Sequence, residues 1–275
     1  MSLLGAAEIR ELAEKLDLRP SKGLGQNFVH DGNTCRKIVR SADVNDKDIA
    51  LEIGPGLGSL TLELLTSAQS VIAVEIDSRL AEQLPITAAA HDCDTSKLTI
   101  INQDAMTVHS LPQQPTVLVA NLPYNVSVPV LLHLLETFPT LNRGVVMVQS
   151  EVADRLAAQP GGKEYGVPSA KAGWWADLSP AGTVSRAIFW PVPNVDSKLV
   201  SFKRHTPLGT EDERKKTFAL IDAAFAQRRK MLRAALSSYF ESSAAAEEHL
   251  LRAGIDPTLR GEALSIADFY AIATS

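Results

Sequence analysis

The sequence predicts an α/β fold built on a mixed, mostly parallel seven-stranded sheet and followed by a small all-α segment. Over residues 21–205, short apolar runs alternate with stretches whose apolar residues recur at helical spacing, a pattern typical of parallel strands joined by helices. A glycine-rich turn at residues 54–58 separates the first of these strands from the next helix. Beyond residue 206 the spacing is helical. We therefore expect a helical extension over 1–20, an α/β domain over 21–205 and a helical domain over 206–275.

The composition is ordinary for a soluble globular protein. Hydrophobic residues make up 45% and charged residues 21% of the 275 positions. The sequence contains no run of about eighteen apolar residues, so no membrane span is predicted. It also lacks a basic N-terminal segment followed by an apolar core, so no secretion signal is predicted. We expect a monomeric cytoplasmic protein that does not bind a membrane.

The cysteines agree with a reducing compartment. Cys35 and Cys93 form no closely spaced pair, which favours free thiols in a cytoplasm. His91 lies near Cys93 between acidic residues, but the spacing matches no zinc pattern, so we expect a solvated loop there and no metal.

The charge distribution leaves the partner open. A formal net charge of −5 argues mildly against a nucleic-acid partner. Between residues 214 and 233, however, basic side chains outnumber a single aspartate, and a basic patch can exist on an acidic protein. These basic residues are Arg214, Lys215, Lys216, Arg228, Arg229, Lys230 and Arg233.

Local signals place the elements along the chain. Asp31 and Ser265 are typical N-caps, and the prolines of residues 188–197 exclude a helix there. Helices are expected over 4–17, 32–41, from 59, over 127–136, 151–156, 170–177, 211–226, 229–240 and 244–253, and after Ser265. Strands are expected over 49–53, 71–74, 98–102, 117–120, 144–149 and 198–204.

The glycine-rich turn indicates a nucleoside cofactor rather than a dinucleotide. A strand, a glycine turn and a helix form the first unit of a Rossmann-like fold. The dinucleotide pattern requires a third glycine where Ser59 stands. The pattern present, Glu52-x-Gly54-x-Gly56-x-Gly58, resembles motif I of S-adenosylmethionine-dependent methyltransferases.

Two carboxylates follow the next two strands. Glu75 lies about twenty residues beyond the glycine turn, where Rossmann-type folds place a carboxylate on ribose hydroxyls. Asp104 follows the third strand, where methyltransferases place an acceptor for the adenine amino group. Each carboxylate alone is also typical of a helix cap. The glycine turn, Glu75 and Asp104 follow three successive strands, however, and this combination favours a cofactor site.

The fourth strand runs into Asn121-Leu122-Pro123-Tyr124. Ligands of open α/β sheets bind beyond the carboxyl ends of such strands. An amide that accepts from an exocyclic amine, beside a ring that stacks on a base, predicts a pocket for a flipped nucleobase.

Several motifs in one order make the chain resemble a known family. They are Gln26-Asn27-Phe28, Glu52-Ile53-Gly54-Pro55-Gly56, Asn121-Leu122-Pro123-Tyr124-Asn125, Glu151 to Leu156, Lys163-Glu164-Tyr165-Gly166, Phe189-x-Pro191-x-Pro193-x-Val195-Asp196-Ser197 and Phe225 to Lys230. The ordered set resembles the ribosomal RNA small-subunit adenine N6-dimethyltransferase family from about Pro20 to Tyr270. The resemblance implies S-adenosyl-L-methionine-dependent dimethylation of two adjacent adenosines in a hairpin loop near the 3′ end of 16S rRNA. It also implies action on the assembling 30S subunit during ribosome biogenesis.

The resemblance also implies roles for individual residues. Cofactor contacts fall on Gln26, Asn27, Val29, Gly54, Gly56, Glu75, Ile76, Asp104, Ala105 and Asn121. The catalytic pocket falls on Asn121, Leu122, Tyr124 and Phe189, with the two rings on either side of the base, and RNA contacts fall on Arg228, Arg229, Lys230 and Arg233. Val29, Gly162, the Val126-Ser127-Val128 run and the acidic net charge depart from the family pattern.

Alternatives differ in substrate or in class. A 23S rRNA adenine methyltransferase of the antibiotic-resistance type shares the glycine loop and the Asn121 tetrapeptide, whereas the 151–156 and 163–166 segments favour the small subunit. A DNA adenine methyltransferase is disfavoured because no large target-recognition insertion is found. A non-catalytic assembly factor is disfavoured by the intact Asn121 and Tyr124, and a nicotinamide oxidoreductase by Ser59.

Overall fold

The computed structural model describes residues 3–18 and 27–275, which form two compact units. Unit 1 comprises Met1–Ala153 and Pro180–Arg204, and unit 2 comprises Asp154–Ser179 and His205–Ser275. This division differs from the expected one in two ways. The N-terminal helix belongs to unit 1 rather than to a separate extension, and residues 154–179 belong to unit 2, because side chains of this segment pack in the same apolar cluster as the C-terminal helices. No helix among the described residues is long and apolar enough to span a membrane.

The elements follow the predicted order closely. The helices are α1 Ala6–Lys15, α2 Gly32–Ser41, α3 Ser59–Ser67, α4 Ser78–Ala90, α5 Ser127–Thr137, α6 Ser150–Leu156, α7 Val167–Ala172, α8 Glu211–Ala226, α9 Leu232–Ala235, α10 Ser243–Arg252 and α11 Ile266–Ala273. The strands are β1 Phe28–Val29, β2 Ile49–Ile53, β3 Ser70–Glu75, β4 Leu98–Asn102, β5 Val117–Asn121, β6 Arg143–Gln149, β7 Ala176–Val184, β8 Phe189–Trp190 and β9 Ser197–Arg204.

The main sheet has seven strands in the order β4-β3-β2-β5-β6-β9-β7. β2 pairs in parallel with both β3 and β5, and β9 runs antiparallel to β6, so the prediction of a mixed, mostly parallel Rossmann-like sheet is confirmed. From β2 the chain builds outward to β4 on one side and then returns to β5 on the other. This change of direction creates a crevice beyond the carboxyl ends of β2 and β5, where ligands of open sheets bind.

Apolar burial explains why these runs form central strands. Val117 to Ala120 of β5 are 0% exposed, as expected for a strand covered on both faces. Ile9 of α1 lies in the same core cluster as Val117, so the N-terminal helix packs on unit 1. The caps also form as predicted: Asp31 accepts from the Thr34 amide at 2.6 Å, and Ser265 accepts from the Asp268 amide at 3.2 Å.

The helix predicted over 170–177 is wrong in its second half. α7 ends at Ala172 with Gly173 as its C-cap, and β7 begins at Ala176. At the start of β7, burial alternates residue by residue from Ala176 to Ser179, which is the strand period rather than the helical one. This unpredicted strand completes the sheet.

The helix predicted over 229–240 is also too long. Only Leu232–Ala235 is α-helical. The amides of Leu232 and Arg233 donate to the carbonyls of Leu259 and Pro257 at 2.7 and 3.2 Å. Because these donors are used by a distant segment, the helix begins no earlier than Leu232.

The loop around His91, which was expected to be solvated, buries the side chains of His91 and Cys93. Cys93 is 8% exposed, and His91 is buried with its Nε2 2.7 Å from Glu8 Oε1. The contact joins α1 to the end of α4.

Replacement of Gly144 in β6 tests how closely the sheet is packed. A Cβ at this position would lie 2.5 Å from a carbon of the Phe202 ring and would also overlap the Leu118 carbonyl. We expect Gly144→Ala to lower the free energy of unfolding by about 1–3 kcal/mol or more in urea titration, because a packed interior strains when atoms are added. Gly5→Ala is the control, since nothing lies within 4 Å of its Cβ; equal stability of the two variants would contradict this packing.

Candidate active site

A cavity of about 220 Å³ lies at the carboxyl ends of the central strands of unit 1. Of the ten predicted cofactor residues, Gln26 lies outside the described residues. The other nine all line this cavity: Asn27, Val29, Gly54, Gly56, Glu75, Ile76, Asp104, Ala105 and Asn121. The structure therefore brings together residues that are up to 94 positions apart along the chain.

The glycine turn lines the cavity with its backbone. Gly54 and Gly56 have φ values of 65° and 58°, a left-handed conformation that glycine adopts without steric cost. A Cβ on Gly56 would lie 2.9 Å from the Phe28 ring. The turn is thus closely packed against the segment that covers it.

Glu75 is held in place by the glycine turn. Its two carboxylate oxygens accept from the amides of Gly56 and Asp77 at 3.1 and 3.0 Å. Burial raises the pKa of Glu75, while these backbone hydrogen bonds oppose the rise. Asp104 also lines the cavity and accepts from the Met106 amide at 2.9 Å, so it caps a short 3₁₀ turn and faces the site as well.

The segment after Gln26 lies along the cavity. The Ser59 hydroxyl, which stands where a dinucleotide fold has glycine, donates to the Val29 carbonyl. Asn121 Nδ2 donates to the Asn27 carbonyl at 3.1 Å. Since the Asn121 amide nitrogen is used in this way, its Oδ1 is the atom that remains to accept a hydrogen bond.

The rest of the tetrapeptide is anchored on neighbouring strands. Leu122 is 1% exposed, and its amide donates to the Met147 carbonyl of β6 at 3.1 Å. Tyr124 is half-buried, and its hydroxyl lies 2.7 Å from Ser197 Oγ at the start of β9. Pro123, between them, lines the cavity.

Phe189 does not take the position that the sequence predicted for it. It is 1% exposed, lies in the core cluster of unit 1 and is paired with Val29 across β1 and β8. The antiparallel pairing of these two short strands directs the ring into the core. The expected second stacking face is therefore not formed by Phe189 in this structure.

Glu52 is a site residue that the sequence reasoning left without a role. It lines the cavity, is 1% exposed and accepts from the Thr61 hydroxyl at 2.7 Å. Burial, with a smaller contribution from Glu75, raises the pKa of Glu52 to about 8. The sequence feature that indicates a place in the site is the position of Glu52 as the first residue of the glycine motif.

The four predicted RNA-contact residues differ in their surroundings within unit 2. Arg228 Nε lies 2.9 Å from Glu262 Oε2, and its Nη2 donates to the Lys163 carbonyl at 2.6 Å. Arg233 lies 3.5 Å from Glu247. Arg229 and Lys230 are exposed. Arg228 thus holds the 163 loop, while Arg229 and Lys230 present their charge to solvent.

Comparison with known proteins identifies the family. The family model described as ribosomal RNA adenine dimethylase matches residues 18–275. The chain belongs to this family. The protein named ribosomal RNA small subunit methyltransferase A of Corynebacterium diphtheriae is 59% identical over 98% of this chain and 94% of its own length. The protein of the same name from Leifsonia xyli is 58% identical over 99% of this chain and 98% of its own.

Solved structures show the same fold. A dimethyladenosine transferase from Plasmodium falciparum superposes with a TM-score of 0.75 at 23% identity, covering 89% of this chain and 95% of that chain. The 23S rRNA methyltransferase ErmE superposes with a TM-score of 0.68 at 24% identity, covering 90% and 98%. This chain therefore shares its fold with both proteins.

Glu52 makes stability depend on pH. Its pKa is raised from 4.5 to about 8 on folding, so above pH 4.5 the unfolded chain releases a proton that the folded chain retains. The contribution of protonated Glu52 to the free energy of unfolding is fully present below pH 4.5 and is lost as the pH rises to about 8. We expect Glu52→Gln to raise the melting temperature more at pH 8 than at pH 5, as measured by calorimetry. Glu82→Gln, on the exposed face of α4, is the control; an equal shift at both pH values would show that Glu52 does not titrate in this range.

Proposed function

We propose that the protein uses S-adenosyl-L-methionine to dimethylate the N6 atoms of two adjacent adenosines in 16S rRNA. The observation that carries the proposal is Asn121. Its amide nitrogen is bound to the Asn27 carbonyl at 3.1 Å, its oxygen remains an acceptor at the cavity, and a half-buried tyrosine follows three residues later. This combination suits a flipped adenine.

The cavity fits the proposed cofactor by its chemistry. Besides Glu52, the acidic residues Glu75 and Asp104 line it together with the apolar Ile76 and Ala105. Carboxylates accept from ribose hydroxyls and from an adenine amino group, while apolar side chains contact the faces of a base. When bound, S-adenosyl-L-methionine supplies an activated methyl group.

The residues of the tetrapeptide orient the acceptor nitrogen. The N6 lone pair of adenine is delocalised into the ring and is a weak nucleophile. Hydrogen bonds from N6–H to the Asn121 side-chain oxygen and the Leu122 carbonyl would localise that pair and direct it toward the methyl group. The acceleration then comes from positioning and from fixed dipoles.

Two successive transfers restrict how the base is held. Each transfer replaces one N6–H bond with an N6–methyl bond and releases that proton to water, so N6 keeps one N–H after the first transfer and none after the second. The pocket therefore holds the monomethyl product mainly by stacking on Tyr124, which contributes about 1–3 kcal/mol per base.

The proposed substrate rests on the relatives at 58–59% identity whose names specify the small subunit. The 30S particle as partner, the hairpin loop near the 3′ end, a monomeric state and a cytoplasmic location are further parts of the proposal. The likeness to the 23S rRNA methyltransferase, at 24% identity, concerns the fold alone and favours neither ribosomal subunit.

Replacement of Asn121 tests the catalytic arrangement. We expect Asn121→Ala to slow both methylations of small-subunit RNA by about 10²–10³, the usual effect of removing one orienting polar group. The measurement is mass spectrometry of nucleosides after incubation with labelled cofactor.

Asn33→Ala removes an exposed amide on α2 and is expected to leave the rate unchanged. Calorimetric titration with cofactor separates a loss of cofactor binding from a loss of chemistry. Full dimethylation by Asn121→Ala would contradict the arrangement.

The exposed cations of unit 2 are the proposed RNA contacts. We expect Arg229→Glu with Lys230→Glu to weaken binding to small ribosomal subunits and to reduce the salt slope of log K by about 1–2, because fewer counterions are released. Filter binding across a salt series measures both. The double variant Lys37→Glu with Lys47→Glu changes the charge by the same amount at two exposed positions of unit 1 and controls for a general charge effect; an unchanged slope in Arg229→Glu with Lys230→Glu would exclude the contact.

A further inference from the structure

We propose that Ser197 is a positioning residue that sets the place of the Tyr124 ring relative to Asn121 and so controls the second methyl transfer. The inference rests on the proposed function, because it concerns the base that Tyr124 would stack on. Ser197 lies 73 positions from Tyr124 along the chain, yet Ser197 Oγ is 2.7 Å from the Tyr124 hydroxyl oxygen.

The sheet holds Ser197 firmly. Ser197 is 0% exposed and begins β9 directly opposite Gln149 of β6 in antiparallel register. The preceding residue is held too, since the Asp196 carbonyl accepts from both the amide and the hydroxyl of Ser150 at 3.0 and 2.9 Å. The hydroxyl of Ser197 is therefore a fixed point in unit 1.

Tyr124, in contrast, belongs to the connection between β5 and α5. Around it the backbone makes a turn in which the Val126 amide donates to the Pro123 carbonyl at 3.2 Å. A side chain in such a connection has several staggered χ1 positions. Bonding the hydroxyl at the far end of the ring selects one of them and so sets the distance from the ring to the Asn121 amide.

The second transfer depends on this distance more than the first. With two N–H groups, two hydrogen bonds help to align N6, whereas the monomethylated base has one. Stacking must then supply the remaining alignment. Loss of the Ser197 contact should therefore impair the second methylation more than the first.

The Tyr124 hydroxyl, which forms this hydrogen bond, does not titrate near neutral pH. Burial raises the pKa of Tyr124 above its usual value near 10, and the Ser197 contact opposes the rise only in part. The phenol thus stays protonated between pH 6 and 9, and the effect of losing the contact should be constant over that range.

The test compares Ser197→Ala, Tyr124→Phe and the double variant, each assayed at saturating cofactor. Tyr124→Phe keeps the ring but removes the same hydrogen bond from the other side. A net hydrogen bond of about 0.5–1.5 kcal/mol corresponds to roughly 2- to 13-fold. We expect each single variant to lower kcat for the second transfer by that factor, with monomethyladenosine accumulating and KM for the particle unchanged.

The double variant should be no slower than either single variant, because both remove one interaction. Ser201→Ala removes another hydroxyl from β9 and should yield the dimethyl product at the normal ratio. Melting curves establish that each variant is folded.

Additive losses in the double variant, or equal slowing of both transfers, would overturn the role of Ser197. A normal product ratio from both single variants would do the same. Absence of methylation by the wild-type protein would instead refute the proposed function, so the two failures are distinguishable.

Discussion

The site depends on the parallel pairing of β2 with β5. Leu51 lies opposite Leu118 in this pair, so the two strands end side by side, and each continues directly into a functional segment. β2 leads into the glycine turn, and β5 ends at Asn121. A shift in this register would separate the glycine turn at Gly54 from the side-chain amide of Asn121, both of which line the cavity. The four fully buried residues of β5 prevent such a shift, because moving them by one position would place polar neighbours in the core.

Much of this arrangement could be predicted from local sequence. Short apolar runs, glycine turns and capping residues predicted most strands and helices of the α/β domain, because these patterns determine the conformation of residues close to them in sequence. The Glu52-x-Gly54 motif, Glu75 and Asp104 could be placed at one sheet edge because parallel strands share their carboxyl ends. The family resemblance is confirmed by the match over residues 18–275.

The features that sequence reasoning missed depend on contacts between distant segments. The helix expected from Arg229 is limited by carbonyls at Pro257 and Leu259, and Phe189 is drawn into the core by pairing with Val29. The raised pKa of Glu52 follows from complete burial. None of these partners lies near its residue along the chain, so no local pattern indicates them.

The choice of ribosomal subunit separates the proposed function from its alternatives, and methyl transfer to separated ribosomal subunits measures that choice. Wild-type protein is incubated with labelled S-adenosyl-L-methionine and unmethylated small or large subunits, and the RNA is digested and analysed by mass spectrometry. We expect N6,N6-dimethyladenosine at two adjacent positions of small-subunit RNA and no label in large-subunit RNA. Label in large-subunit RNA alone, or in neither, would contradict it.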